Sequence, residues 1–477
     1  MASLWKAAVP VGLNSPARFN AGTVRCLSTS FQLQQKAKPA GGTGKRDLSR
    51  GLRNVVLVDG VRTPFLKSGT DYKNMMPHDL QRKAIQSLLE HTQIPKEEIN
   101  NVIVGTVIQE VKTSNIAREA ALGAGIPQSA PAHTVTQACI SSNQAITSAW
   151  NYITTGHSDC VVAGGVDFMS DAPIRFSRKG REILIQMSRA KSKGELIGLA
   201  LQMMSLKALT PDAPSVAEFS TNEVMGHSAD RLAGAFGVSR REQDEYAVRS
   251  HSMAAKAIKE GLLTDVMPTS VPGKADAVVV DNGVRPSSVE DFSKLKPAFI
   301  KPHGTITAAN ASFLTDGASA CLIMSEEKAL ALGYKPKAYL RDWVYVAQDP
   351  KDQLLLGPAY ATPKVLGRNG LTIQDIDCFE FHEAFAGQIL ANLRAMDSDL
   401  FCQKWMGRQS KVGALPLDKF NLWGGSLSLG HPFGATGVRL VTTAANRLAK
   451  EGGQLALVAA CAAGGQGHGM IVEAYPK

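Results

Sequence analysis

The chain has 477 residues, 44% of them hydrophobic and 20% charged, the balance of a folded protein long enough for more than one core. Its net charge of +10 is unevenly placed: residues 1–46 hold seven basic residues and no acidic one, which leaves +3 for the rest and argues against nucleic acid as a primary partner. No run of eighteen apolar residues occurs, so no segment reads as a membrane-spanning helix.

The acid-free start, rich in Ser, Thr, Ala and Arg, has the composition of a mitochondrial transit peptide. Residues 1–33 are read as that peptide, cut somewhere after Arg25, and residues 34–53 as a disordered basic linker; the plain alternative is a basic tail. Import into the matrix would put the seven cysteines, odd in number and irregularly spaced, in a reducing compartment, where free thiols are expected.

Order is expected to begin near Asn54. VVLVDGVRTP reads as a buried strand leaving into a turn, DLQRKAIQSLLEH as an amphipathic helix and NVIVGTVIQ as another apolar strand, an alternation that indicates α/β layers. After Cys139 a helical stretch runs from Asn143 to Thr154, followed by Gly156 and the apolar strand DCVVAGG. After His431, VRLVTTAANRLAKEGG and QLALVAAC repeat that order of turn, helix, glycine and buried strand. A weaker pair matches VIVGTVIQ with IDCFEFHEAF. The repetition predicts two similarly wound halves facing each other, with sites at the ends of strands and the starts of helices.

The first half is too long for one such unit, and the excess between Met169 and about Phe299 reads as an inserted loop domain over the site. In it, Ser239 and Glu242 form a capping box for a helix that Gly261 ends. Between Ile174 and Leu209, the basic residues Arg175, Arg178, Lys179, Arg181, Arg189, Lys191 and Lys193 precede the apolar stretch LIGLALQMMSLKAL. Such a segment can lie on an anionic membrane surface; the competing reading is a solvated loop and a helix packed on its own protein or on a partner. ITAANASFLTDGASACLIMS then returns to the first half as a turn, a helix start and a strand. The expected boundaries are 54–170 with 300–330 for the first half, 171–299 for the insertion and 331–477 for the second half.

Cys139, in TQACISSNQA, is placed by pattern before a helix, where unpaired amides and the helix dipole favour a thiolate; a buried inert cysteine is the plain alternative. His431, in NLWGGSLSLGHPFGATG, sits among glycines before the second helix and could take a thiol proton and later donate. Cys461 ends an apolar strand and enters AAGGQGHG, whose successive amides could cradle an oxyanion. His382, in FEFHEAFAGQ, could supply another donor, or be a core histidine with Glu383 as structural partner. These four residues lack close metal-ligand spacing, so no metal site is expected, and a cysteine hydrolase would not need the second thiol.

Taken together, TQACISSNQA, HEAFA, NLWGGSLSLGHPFGATG and CAAGGQGHG resemble the four signature blocks of the thiolase family, over nearly everything from Asn54 onward. The resemblance implies a five-layered α-β-α-β-α fold of two duplicated halves with an inserted loop domain. It implies that Cys139 is the acyl-accepting nucleophile, His431 its activator and an oxyanion donor, and Cys461 the acid/base at the acetyl-CoA enolate. His382 stands where many thiolases carry an Asn that holds a water of the first oxyanion hole, and HEAFA resembles the form in thiolase subunits of trifunctional fatty-acid oxidation complexes. Where the usual block reads C-x-G-G-G this chain has Ala462 and Ala463; the Ala463 N–H can complete the second oxyanion hole with that of Cys139 if its backbone does not require glycine. Ser312 matches a serine that contacts the pantetheine of CoA, and Phe313 replaces a common glycine beside the acyl channel.

The expected activity is 3-ketoacyl-CoA thiolysis in mitochondrial fatty-acid β-oxidation, with CoA as a substrate and no permanently bound cofactor. The alternatives are an acetoacetyl-CoA-type or biosynthetic thiolase or other condensing enzyme of the same fold, and an inactive membrane-docking scaffold. The implied partners are a hydratase/dehydrogenase α subunit, a second thiolase copy within the hetero-oligomer, and the matrix side of the inner mitochondrial membrane.

Overall fold

The computed structural model describes Leu48, residues 51–215 and residues 217–476. The expected transit peptide lies outside the described residues, as does the linker apart from Leu48 and residues 51–53. Arg53 already belongs to the folded body: its guanidinium donates to the Ile153 carbonyl (3.1 Å) and to Asp159 (2.6 Å).

The strands in chain order are β1 (Val55–Arg62), β2 (Leu66–Lys67), β3 (Asn101–Gly105), β4 (Ala132–Val135), β5 (Cys160–Asp167), β6 (Arg175–Phe176), β7 (Pro211–Asp212), β8 (Thr315–Ser325), β9 (Ala338–Ala347), β10 (Cys378–Phe381), β11 (Leu455–Ala462) and β12 (Gln466–Ala474). One mixed sheet runs β10-β11-β12-β9-β1-β8-β5-β3-β4. At its middle only Val56 with Tyr339 and Leu57 with Ala338 pair β1 to β9, so the sheet is two blades joined at a narrow seam. Each blade repeats one plan. In the first, β1 is antiparallel to β8, β8 to β5, and β5 is parallel to β3; in the second, β9 is antiparallel to β12, β12 to β11, and β11 is parallel to β10. Even β4, parallel to β3, has a stub of a counterpart, the parallel bridge of Phe420 to Phe379.

Helices fill three layers around the blades. The period-2 alternation of strand side chains sends Val56 and Val58 of β1 to one core, with α1 (Pro77–Thr92) and α2 (Ile116–Gly123), and Val55 and Leu57 to another. That second, central core also takes Ala456, Val458 and Ala460 of β11, together with α3 (Ser141–Thr154) and, later in the chain, residues 436–451. The opposite face of β11, through Leu455, Leu457 and Ala459, packs the outer helices of the second half. This is the expected five-layered α-β-α-β-α order.

Between the halves of the first repeat, the insertion contributes α4 (Arg178–Met187), α5 (Lys193–Met203), α6 (Leu206–Leu209), α7 (Met225–Ala235), α8 (Arg240–Lys259) and α9 (Val289–Ser293). Ser239 and Glu242 cap α8 reciprocally, and Gly261 follows its end at φ +65°. The helix expected near Ala309 is absent: residues 308–310 form a turn and 311–314 run extended. Asn310 explains this, because its Oδ1 accepts the Thr307 N–H (2.7 Å), closing a turn on nearby backbone in competition with a helix. The remaining helices are α10 (Glu326–Ala331), α11 (Gly357–Arg368), α12 (Ala386–Met396), α13 (Asp399–Met406), α14 (Ser426–Leu429) and α15 (Thr436–Glu451). Thirteen of the sixteen α15 residues are buried, which fits a central-layer helix flanked by both blades.

The basic stretch of the insertion forms α4, α5 and α6 with the small β6–β7 ribbon, around a miniature core of Ile183, Leu199 and Ala208. Ile197, Leu201, Met204 and Leu206 remain 62%, 66%, 74% and 85% exposed, so its apolar surface is not covered by the described residues of its own chain. Among the described residues no helix is long and apolar enough to cross a membrane.

Candidate active site

The duplication brings the site together. Cys139 lies four residues beyond β4 and just before α3; His431 lies beyond the Phe420 bridge and just before α15. The two turns therefore occupy corresponding places in the two halves, and α3 and α15 are neighbours in the central layer. They meet closely. A Cβ on Gly437 would lie 2.3 Å from Asn143 Oδ1, and one on Gly165 would lie 1.9 Å from the Gly434 carbonyl.

Ala138 holds a left-handed φ of +47°, uncommon without glycine, and this presents partly buried Cys139 at the turn into α3. The turn is fixed by Ser141, whose hydroxyl donates to the Ala138 carbonyl (2.7 Å) and accepts the Gln137 N–H (2.8 Å). Burial pushes the Cys139 thiol up to about 12, against the Ala463 N–H, which donates to the sulfur and favours the thiolate. Burial thus opposes the pull of the helix terminus toward a thiolate. Desolvation outweighs it, and deprotonation needs a base at the sulfur.

Two imidazoles stand beside the sulfur. The Cys139 Sγ and a ring nitrogen each of His382 and His431 lie within 4.8 Å of one another. His431 is 3% exposed, and its Nδ1 meets the Thr436 hydroxyl at 2.6 Å. Thr436 donates to the Pro432 carbonyl (3.1 Å), so it accepts from His431 Nδ1–H and leaves Nε2 as a lone pair with no protein partner. Burial, then the nearness of His382 and Arg439, hold the His431 imidazolium well below its ordinary pKa. The turn is braced by the His431 N–H to Thr315 (3.0 Å) and by a bridge between His431 and Leu314.

His382 directly follows β10 and is wholly buried, with its ring centroid 4.0 Å from that of His431. Its Nδ1 meets the Ser426 hydroxyl at 3.0 Å, while Nε2 is buried without a protein partner. Glu383 is not its partner: that carboxylate accepts from Tyr246 (2.9 Å), Ser250 (2.7 Å) and Asn421 (2.8 Å), anchoring α8 to the second half. Cys461, on β11 and 1% exposed, is driven upward in pKa by burial first and then by its closeness to Cys139. Ala463 is not among the residues with positive φ, so its backbone has no need of glycine; Gly464 (φ +85°) and Gly465 (φ +66°) make the turn instead.

Ser312 and Phe313 lie on the extended stretch beside both loops. The Ser312 N–H donates to the Ala384 carbonyl (2.9 Å), and the Phe313 ring packs over Gly283 and Gly430 with Lys67 Nζ 5.7 Å from its centroid. The structure therefore gathers Cys139, His382, His431, Cys461 and Ala463, with Ser312 and Phe313 alongside.

Sequence reasoning missed the groups that hold these residues. Asp167, buried at the end of β5, accepts the N–H groups of Val107 (3.1 Å), Ile108 (2.8 Å) and Gly434, so one carboxylate ties the His431 turn to the first blade. Its signal was a lone acid closing the apolar run VVAGGVD. Glu218, from the insertion, accepts the Gly464 N–H at 2.6 Å and reaches the turn next to Ala463, with no sequence signal to announce it.

Residues 55–327 match the family model "Thiolase, N-terminal domain" and residues 334–474 match "Thiolase, C-terminal domain". The chain belongs to the thiolase family. It is 67% identical over 457 residues to the human mitochondrial trifunctional enzyme subunit beta, covering 95% of this chain and 96% of that one. It is 58% identical over 455 residues to a probable 3-ketoacyl-CoA thiolase of Caenorhabditis elegans, covering 95% of this chain and all of that one. Among solved structures, human mitochondrial 3-ketoacyl-CoA thiolase in complex with CoA superimposes with a TM-score of 0.75 at 30% identity, covering 89% of this chain and 98% of that one.

Proposed function

We propose that the chain is a 3-ketoacyl-CoA thiolase, an acyltransferase of mitochondrial fatty-acid β-oxidation, that works as the β-type subunit beside an α subunit. The relatives at 67% and 58% identity support the reaction class and the compartment. The observation that carries the mechanism is the cluster of Cys139, His382 and His431 within 4.8 Å, with Cys461 close behind.

The Cys139 thiol gives its proton to His431 Nε2 as the sulfur attacks C3 of the 3-ketoacyl-CoA. The C3 oxyanion is held by the Cys139 and Ala463 N–H groups. Collapse restores the C3 carbonyl as a Cys139 thioester and breaks C2–C3; the bond's electrons form the enolate of acetyl-CoA. Imidazolium Nε2–H of His431 and the free nitrogen of His382 face the enolate oxygen, and the Cys461 thiol protonates C2. An entering CoA thiol returns a proton to Cys461 and attacks the thioester. Cys139 then leaves as thiolate and recovers its proton from His431, so two easier steps replace one hard one. CoA is a substrate, and no bound cofactor takes part. The working body is 54–170 with 300–330 and 331–477, covered by 171–299, and Ser312 and Phe313 flank the CoA and acyl path.

Thioester trapping tests the reading. Substrate should label wild-type protein at Cys139, and Cys139→Ala protein should lose thiolytic turnover; turnover retained by that variant would overturn it. Activity against a chain-length series fixes the acyl preference.

The assembly reading extends to a homodimer of this subunit within the hetero-oligomer and to peripheral contact with the matrix side of the inner membrane. The homodimer is supported by β4, an outermost strand with no strand on its outer edge among the described residues, beside partly exposed Cys139. Membrane contact is supported by the exposed apolar residues of α5 and α6 next to the basic residues of α4. Sedimentation tests the first. Flotation with cardiolipin vesicles tests the second: neutralising Arg178, Lys179, Arg181, Lys191 and Lys193 should release the complex, and unchanged flotation would remove the membrane role.

A further inference from the structure

Behind His382 lies a chain of buried groups with no part in the proton transfers above. Ser426 Oγ stands between His382 Nδ1 (3.0 Å) and Arg439 Nη2 (2.9 Å). The guanidinium can only donate, so one lone pair of Ser426 is taken and its hydroxyl hydrogen needs an acceptor. The acceptor within reach is His382 Nδ1. Arg439 itself is 1% exposed, 3.7 Å from the buried Glu380, whose other oxygen takes Arg447 at 2.8 Å. The buried Arg439 cation opposes any second proton on the His382 ring: burial first and Arg439 second bring His382 down to about 3.

We infer that Ser426 and Arg439 are positioning residues that fix His382 as the neutral tautomer protonated on Nε2, making it a permanent hydrogen-bond donor to the thioester oxygen of the substrate and its enolate. The inference rests on the thiolase reading and deepens it. His431 and His382, though neighbours with tilted rings, thereby carry opposite tautomers: Thr436 accepts from the first and leaves it a base, whereas Ser426 donates to the second and leaves it a donor. The same assignment removes the lone pair that a metal would need at His382 Nε2. Geometry alone otherwise permits a Cys139–His382–His431 ligand set.

The test is a double-mutant cycle on the enolate step, read as proton exchange at C2 of acetyl-CoA and as kcat for thiolysis. Ser426→Ala should lower both about 10- to 100-fold with KM within about 2-fold, because one oxyanion donor loses its orientation. In a His382→Asn background, whose amide needs no tautomer, Ser426→Ala should change exchange less than about 2-fold. Arg439→Gln is the companion variant, expected to act in the same direction. Full exchange in Ser426→Ala, or an equal loss in both backgrounds, overturns the positioning role. Substrate labelling of Cys139 in wild-type protein separates the outcomes: absent label sinks the thiolase reading, whereas normal label with an uncoupled Ser426 sinks only this inference.

Discussion

Asp167 on the first blade and Gly434 in the His431 turn of the second half are joined by a hydrogen bond from the glycine N–H to the carboxylate, whose other oxygen holds Val107 and Ile108 N–H groups. The half that carries Cys139 and the half that carries His431 are thus registered by one buried side chain. Asp167→Asn should break that registration, since the amide NH2 must face either Gly434 or the Val107–Ile108 pair, donor against donor. Steady-state kinetics should show kcat down about 10- to 100-fold, in line with a loss of about 1–3 kcal/mol, with Cys139 still open to alkylation.

Thr436 sets the tautomer of His431. Thr436→Val keeps the shape and removes the acceptor for Nδ1–H, so the ring no longer keeps its lone pair on Nε2. Acylation of Cys139, followed by rapid quench, should slow by about 10-fold or more, as for loss of one buried hydrogen bond to a group that becomes charged. An unchanged acylation rate would show that the hydroxyl does not orient the base.

Much of this was legible in the chain. The repeat of turn, helix, glycine and strand after Cys139 and His431 announced the duplication, because α3 and α15 are each followed by a glycine and lead into apolar strands that periodicity reveals. Four short blocks pointed to Cys139, His431 and Cys461, the residues proposed above as nucleophile, base and second thiol. The supporting groups were not legible, since Asp167, Ser426 and Arg439 act on residues distant in sequence or across layers, and spacing carries no trace of a partner 267 positions away. Arg439, inside the apolar face VRLVTT, and Asp167, closing VVAGGVD, were the visible irregularities. The turn at Asn310 was misread as a helix start because side-chain capture of backbone N–H groups does not appear in periodicity.

Arg62 in the first strand is enclosed with Asp265 (2.8 Å) and Asp281 (2.6 Å) of the insertion, all three buried. Arg62→Met leaves two carboxylates uncompensated, and denaturant unfolding should show a loss of about 3–5 kcal/mol. A loss below about 1 kcal/mol would mean that the insertion is held chiefly by its apolar contacts.

Acid should destabilise the protein below pH 6.5. His382 and His468 are held near 3 and His251 near 4 by burial, so between those values and 6.5 the unfolded chain binds protons that the folded chain refuses. Their stabilisation is intact above 6.5 and is lost as pH falls. Asp167, raised to about 6, works the other way over a narrower window and offsets only part. Melting temperature measured from pH 7.5 to 4.5 should therefore fall, and His468→Phe should flatten the slope without touching the site.

The two-pair seam between β1 and β9 leaves each repeat close to self-sufficient in backbone bonding, yet neither carries a complete reaction centre. One repeat holds Cys139, the proposed nucleophile, and the other His431, its proposed base, at matching turns. Inheritance of the two repeats is consequently inseparable: a change that suits either alone is judged by how it alters a partner built from the same plan.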